Sequence, residues 1–237
     1  MFIVPGGGDV PKLSAGFEEQ LEDIINEIKP SLVAVDVLQK VRIDRQLAYS
    51  TDYGDLSILQ EIATRHHICL LVVTHTRKQQ DIADVFNMVS GTTGITGTCD
   101  TMLAMTGSKR FADRVTLSVT GRDIKGGEYV LQFNNYRWHN LGDTETIRFL
   151  EFQAHPITQT LQKLLAQNEK WSGSASLLLD SAEALGYDTF DINSTHAGRF
   201  ISNHKRDLRK IGIDVAQRRL TRERLYTFKK CDGKLPL

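Results

Sequence analysis

Cysteine and proline are scarce in this chain, at three and five of 237 residues. Cys69, Cys99 and Cys231 are odd in number and far apart, which excludes a disulfide scaffold, a redox pair and a cysteine zinc site. Long hydrophobic runs are missing as well. The longest, Ile68 to Val73, has six residues, against the roughly 18 that a membrane-spanning helix needs. The opening residues MFIVPGGGDVP lack a basic flank, and their apolar stretch is too short for a secretory signal. These absences point to a soluble, cytoplasmic protein without membrane partners. What is present is a hydrophobic fraction of 41%, enough for a core and too much for wholesale disorder. The length suits one large domain or two of ordinary size.

Net charge is absent too, with 29 basic residues against 29 acidic ones. The balance conceals two opposite parts. Residues 1–195 carry 17 Lys and Arg against 25 Asp and Glu, whereas residues 196–230 carry 11 against 3. A basic block of that density is the electrostatic footprint of a protein that binds a phosphate backbone. It is interleaved with Phe200, Ile201, Leu208, Ile211, Ile213, Val215, Leu225, Tyr226 and Phe228. A solvated tail needs no such residues, so a folded nucleic-acid-binding segment is expected.

Phe17, Leu21, Ile24, Ile25 and Ile28 fall at helical spacing, and Lys29-Pro30 ends the run. A short buried strand, Leu32 to Asp36, follows, then a polar loop to Asp55, read as the N-cap of a helix burying Leu56, Leu59, Ile62 and Ala63. His66-His67 marks that helix's end, because adjacent helical residues cannot face one metal. A second apolar strand runs from Ile68 to His75. Continuous apolar strands alternating with helices predict a parallel sheet covered on both faces. Residues 76–100 read as a long loop, basic at Arg77-Lys78 and Gly/Thr-rich from Ser90 to Thr98. A strand at Thr101–Met105 and a hairpin, Arg114–Thr120 with Tyr129–Phe133 around Gly126-Gly127, come next.

From Asn134 the pattern weakens, and residues 141–155 are expected to be a linker. The last part reads as helix, helix, helix, hairpin. Ile157, Leu161, Leu164 and Leu165 mark the first helix, and Ser174–Leu185, ended by Gly186, the second. Ser194–Lys210 is the third, stopped at Gly212, and Ile213–Arg219 pairs with Arg224–Lys230. That order is the winged form of the helix-turn-helix, whose third helix enters the major groove. Arg199, Lys205, Arg206, Arg209 and Arg219 are its expected phosphate contacts.

Asp36 closes a buried strand, where open α/β sheets bind ligands and where nucleotide hydrolases hold magnesium, usually through water. A loop-start Asp capping the next turn is the structural alternative. His75 closes the neighbouring strand and could sense a terminal phosphate, or be an ordinary strand-end histidine. Arg122, after Val119-Thr120-Gly121, could reach a neighbouring subunit's nucleotide or pair with Asp123.

Taken together, LVAVDVLQKVR, LQEIATRHHICLLVVTHTRK, SGTTGITGTCDTML and LSVTGRD resemble the later part of a RecA-like ATPase. The subgroup is that of the RepA-type hexameric helicases of plasmids, phages and integrated elements. The resemblance spans about residues 1–135. It implies that Asp36 is the magnesium-holding Walker B acid, with Gln39 beside it at the nucleotide, that His75 is the phosphate sensor, and that Arg122 acts in trans across a ring. ATP and Mg would be the cofactors. Arg77, Lys78, Lys109 and Arg110 would face single-stranded DNA, and the partners would be DNA and further copies of the chain, a hexamer in the family. WSGSASLLLD through HKRDLRKIGIDVAQRR is similar to the winged-helix module that follows such domains.

One departure matters. A phosphate-binding loop needs Gly-x-x-x-x-Gly-Lys-Ser/Thr. In Gly6-Gly7-Gly8-Asp9-Val10-Pro11-Lys12-Leu13 a proline stands for the second glycine and a leucine for the hydroxyl. The strand with the family's catalytic glutamate is expected upstream of this sequence. The expected fold is α/β: a partial RecA-like, mostly parallel sheet with flanking helices over residues 1–140, then an α+β winged-helix domain over 156–237. The expected function is that of a helicase or ATPase fragment inactive alone, with further copies of the chain or a partner chain supplying the phosphate-binding loop as its expected partners. The alternative is a non-enzymatic DNA-binding or replication-accessory protein that uses the RecA-like remnant to oligomerise.

Overall fold

A computed structural model describes residues 10–42, 49–76, 84–89, 97–107, 112–220 and 224–232. The chain divides into two compact units, Met1–Leu141 and Gly142–Leu237. No helix among the described residues is long and apolar enough to cross a membrane.

In the first unit, helix α1 (Phe17–Ile28) carries Glu18 and Glu19 in its first turn, where carboxylates favour the positive end of the helix dipole. Lys29 closes it in the left-handed conformation, donating its N–H to the Ile25 carbonyl at 2.8 Å. Strands β1 (Leu32–Asp36) and β2 (Cys69–Val73) pair in parallel, with Leu32 opposite Cys69 and Asp36 opposite Val73. Val33, Val35, Leu70 and Val72 alternate onto one face. There they meet Leu21 and Ile25, Leu38 and Val41 of α2 (Leu38–Val41), and Leu56, Leu59 and Ile62 of α3 (Tyr49–His66). Leu32, Leu71 and Val73 on the other face are exposed, so the expected cover on both faces is not met among the described residues.

Asp55 does not cap α3 as expected. It lies inside the helix and buried, its Oδ2 accepting from Arg42 Nε at 3.4 Å. The helix begins earlier because Tyr49–Gly54, though polar, contains no proline to forbid it. Glu22 of α1 pairs with Arg65 of α3, and His66 Nε2 lies 3.5 Å from the same carboxylate.

Strands β3 (Thr101–Thr106), β4 (Arg114–Gly121), β5 (Gly127–Asn134) and β6 (Arg137–Asp143) form a second sheet in that order. Its β3–β4 and β4–β5 pairs are antiparallel. A mostly parallel sheet is therefore not what the described residues build: parallel pairing is confined to β1 and β2. The links between the later strands are too short for a crossover helix. The hairpin around Gly126-Gly127 forms as expected, whereas β6 has no alternating β-branched residues to announce it.

The second unit runs α4 (Thr144–Ala154), α5 (Pro156–Gln167), β7 (Lys170–Ser174), α6 (Ala175–Ala184), α7 (Ser194–Asn203), α8 (Lys205–Lys210), β8 (Ile213–Arg219) and β9 (Arg224–Lys230). Most of the segment expected as a linker, 141–155, is helix α4. Asp143 caps it, accepting the Thr146 N–H at 2.8 Å, and Phe152 anchors it in a core with Ile157, Leu161, Leu178, Ile201, Leu208 and Phe228. The unforeseen strand β7 pairs antiparallel with β9, giving the sheet order β7-β9-β8. Gly186 and Gly212, at φ 82° and 80°, make the left-handed turns after α6 and α8.

The expected single helix Ser194–Lys210 is two helices meeting at His204 (φ −105°, ψ 22°). Asp207 holds the joint. Its carboxylate meets His204 Nδ1 at 3.0 Å, Lys210 Nζ at 3.4 Å and Arg148 Nη2 of α4 at 3.6 Å. Burial pushes this carboxyl's pKa up, but the hydrogen bonds from His204 and Lys210 and the nearby charges outweigh it and hold it below the ordinary value.

Candidate functional site

Two places collect the residues singled out by sequence. The first is the carboxyl-terminal rim of the β1–β2 pair. Register sets Asp36 opposite Val73, so His75 lies two residues past the tip of the adjacent strand. Both side chains are exposed. Gln39 of α2 donates from Nε2 to Thr74 Oγ1 at 2.7 Å, tying the turn after Asp36 to the residue before His75. Behind it, Lys12 Nζ donates to the Lys40 carbonyl at the end of α2, and the buried Arg42–Asp55 pair fastens α2 to α3. The parallel pairing thus brings Asp36, Gln39 and His75 to one rim.

That rim does not suit a magnesium triphosphate by itself. Among the described residues it offers one carboxylate, Asp36, and no group of three His, Cys, Asp or Glu that could hold a metal ion. The sequence contains no Gly-x-x-x-x-Gly-Lys-Ser/Thr whose backbone N–H groups and lysine would cradle the phosphates.

Arg122 follows β4 and is engaged within its own chain. Its Nη1 lies 3.2 Å from Asp100 Oδ1 and its Nη2 donates to the Gly97 carbonyl at 3.1 Å. Its backbone N–H also donates to the Asp100 carbonyl. The acidic partner is therefore Asp100 and not Asp123, because β3 and β4 pair with Thr101 opposite Gly121. Arg77, Lys78, Lys109 and Arg110 lie outside the described residues.

The second place is a recess of about 690 Å³ in the second unit. The start of α6, one face of α7 and the Arg219–Arg224 end of the β8–β9 pair enclose it. Ser174 caps α6 and Asn193 caps α7, each side chain accepting a backbone N–H. Thr195, Arg199 and Ser202 of α7 line it at helical spacing, with Arg219, Arg224 and Tyr226 from the hairpin. Arg219 and Arg224 are register partners. Like charges directly opposite each other across a strand pair repel. Among the described residues no side-chain hydrogen bond or ion pair is found for Arg199, Arg219 or Arg224, so the described lining concentrates positive charge.

The recess takes up Arg199 and Arg219 from the sequence reading, and not the rest. Lys205 and Arg206 are exposed on the first turn of α8, outside the recess lining. Arg209 is half buried, its Nη1 3.8 Å from Asp214 Oδ1. The break at His204 explains this: a continuous helix would have carried Arg199 and Arg206 along one face, and the bend separates them. Sequence reasoning missed Arg224, although the expected pairing of the two strands already set it opposite Arg219. It also missed Ser174, because β7 was not foreseen.

No model of a known protein family and no curated protein matches the chain.

Proposed function

We propose that the chain is a duplex-DNA-binding protein. On this reading the second unit is a winged helix: α5, β7, α6, a third helix broken into α7 and α8, then β8 and β9 give the helix–strand–helix–helix–strand–strand order, α7 is the part that enters the major groove, and β8–β9 is the wing on the backbone. The observation that carries the proposal is the cluster of Arg199, Arg219 and Arg224 around one recess, two of them held opposite each other. A polyanion relieves that repulsion. Serine, threonine and asparagine side chains with two helix N-termini add neutral donors suited to phosphate oxygens.

The first unit is proposed as a RecA-like body related to the RepA-type replication helicases. Asp36, Gln39 and His75 at one rim of two adjacent parallel strands support that kinship, since ligands of open α/β sheets bind outside the carboxyl ends of the strands. A ring-type role for Arg122 would require its guanidinium to leave Asp100 and Gly97. ATP coupling would then need a phosphate-binding loop from a partner chain. The accessory reading, in which this body only oligomerises, shares the same DNA contacts.

Duplex binding measured by fluorescence anisotropy across a salt series tests the proposal. Affinity falls steeply with salt, and each of Arg199→Ala, Arg219→Ala and Arg224→Ala lowers the log–log slope by about 0.9. Salt-independent binding, or slopes unchanged in all three variants, would refute it.

A further inference from the structure

We propose that the β5–β6 turn of the first unit is a stacking platform for unpaired nucleic-acid bases, separate from the arginine recess. Six consecutive residues, Phe133-Asn134-Asn135-Tyr136-Arg137-Trp138, carry three aromatic rings, two amides and a guanidinium. The rings of Phe133 and Trp138 meet across the hairpin at 5.1 Å and 54°. They are nevertheless 41% and 42% exposed, so their pairing leaves apolar faces open to solvent. Tyr136 stands at the tip, 95% exposed.

The backbone adds a second argument. Asn135 and Tyr136 have φ of 48° and 61°, the two-residue hairpin turn in which both central positions lie at positive φ. Asparagine accepts that conformation and glycine would be the cheapest second residue, whereas a bulky aromatic there is strained. A tyrosine that contributes no burial at a position costing it backbone energy leaves its ring available to a partner outside the fold.

Charge selects the occupant. Residues 1–195 are rich in acid, yet residues 129–142 contain no Asp or Glu at all. Arg137 is exposed, and no ion pair is found for it among the described residues. Rings that stack, amides that reach base edges and a cation for phosphate make the set that single-stranded nucleic acid uses. Duplex DNA keeps its bases stacked on one another and presents no free face.

The test is titration of the full chain with oligodeoxythymidine while tryptophan emission is followed. Trp171 is packed on Phe228 at 5.9 Å, so Trp138 is the reporter. Saturable quenching is expected, lost in Trp138→Leu, with affinity about tenfold weaker in Phe133→Leu. Tyr136→Gly separates binding from folding: it relieves the turn, so Tm holds or rises, while single-strand affinity falls. Arg199→Ala/Arg224→Ala should keep the quenching. The proposal is overturned if emission does not respond, if Tyr136→Gly and Phe133→Leu bind as tightly as the parent, or if quenching disappears with the recess arginines.

Discussion

His155 does two things at once. Its Nδ1 accepts the Ile157 N–H at 3.3 Å, capping α5, and its ring stacks on Phe200 at 3.8 Å. Phe200 lies between it and His204, whose ring is 4.5 Å from Phe200 and which Asp207, with Arg148 and Lys210, holds in place. A protonated Nδ1 cannot accept. Burial first, and the neighbouring His204 second, hold the His155 pKa below the ordinary 6.5. A group depressed in the folded state stabilises the fold above its unfolded pKa, and the stabilisation is lost as pH falls through the folded value. Thermal melts of the full chain should therefore show the second unit weakening below about pH 6.5. His155→Asn, which keeps a capping acceptor without a titrating ring, should flatten that limb; an unchanged profile would remove His155 from the explanation. In the first unit, Asp55 and Arg42 are 1% and 7% exposed. Asp55→Ala takes away the carboxylate that faces the buried Arg42 guanidinium, so urea unfolding should report a loss of about 1.5–3 kcal/mol. Gln39→Ala, on the exposed rim, should cost about 0.5 kcal/mol or less.

At the scale of elements, side-chain caps at helix starts in the second unit set where those helices begin. Asn193 Oδ1 accepts the His196 N–H at 2.9 Å at the head of α7, the helix that carries Arg199. Asn193→Ala should cost about 1 kcal/mol in denaturant unfolding. Asn193→Asp should keep the cap and the stability but bring a carboxylate beside Ser194 and Thr195 of the recess, weakening duplex affinity. Equal loss of stability in both variants would contradict the capping role. Regular apolar spacing made α1 and α5 readable from sequence alone, and turn glycines did the same for the β4–β5 hairpin. Helix α4 was hidden because its polar residues mask a stripe that only Phe149 and Phe152, stacked at 5.8 Å, turn inward. Strand β7, Lys170-Trp171-Ser172-Gly173-Ser174, is a strand because β9 is beside it, which no local propensity announces.

For the molecule as a whole, charge segregation and the missing phosphate loop lead in different directions. The basic block makes DNA binding the activity to measure. The lack of a Gly-Lys-Ser/Thr cradle in this sequence, with one carboxylate at the β1–β2 rim among the described residues, predicts ATP turnover by the purified chain no faster than that of Asp36→Ala. A phosphate-release assay with both proteins checks it; faster turnover by the parent would show that Asp36 already serves a working site.

By itself, the sequence determined the periodic helices, the two apolar strands ending near Asp36 and His75, and the basic block, because spacing and charge are properties of neighbouring residues. Tertiary structure alone decided that Arg224 stands opposite Arg219, that Asp55 is buried against Arg42, that Arg122 is held by Asp100, and that the chain bends at His204. Each of these depends on which distant residue is brought alongside, and pairing across the fold leaves no periodic trace in a single chain.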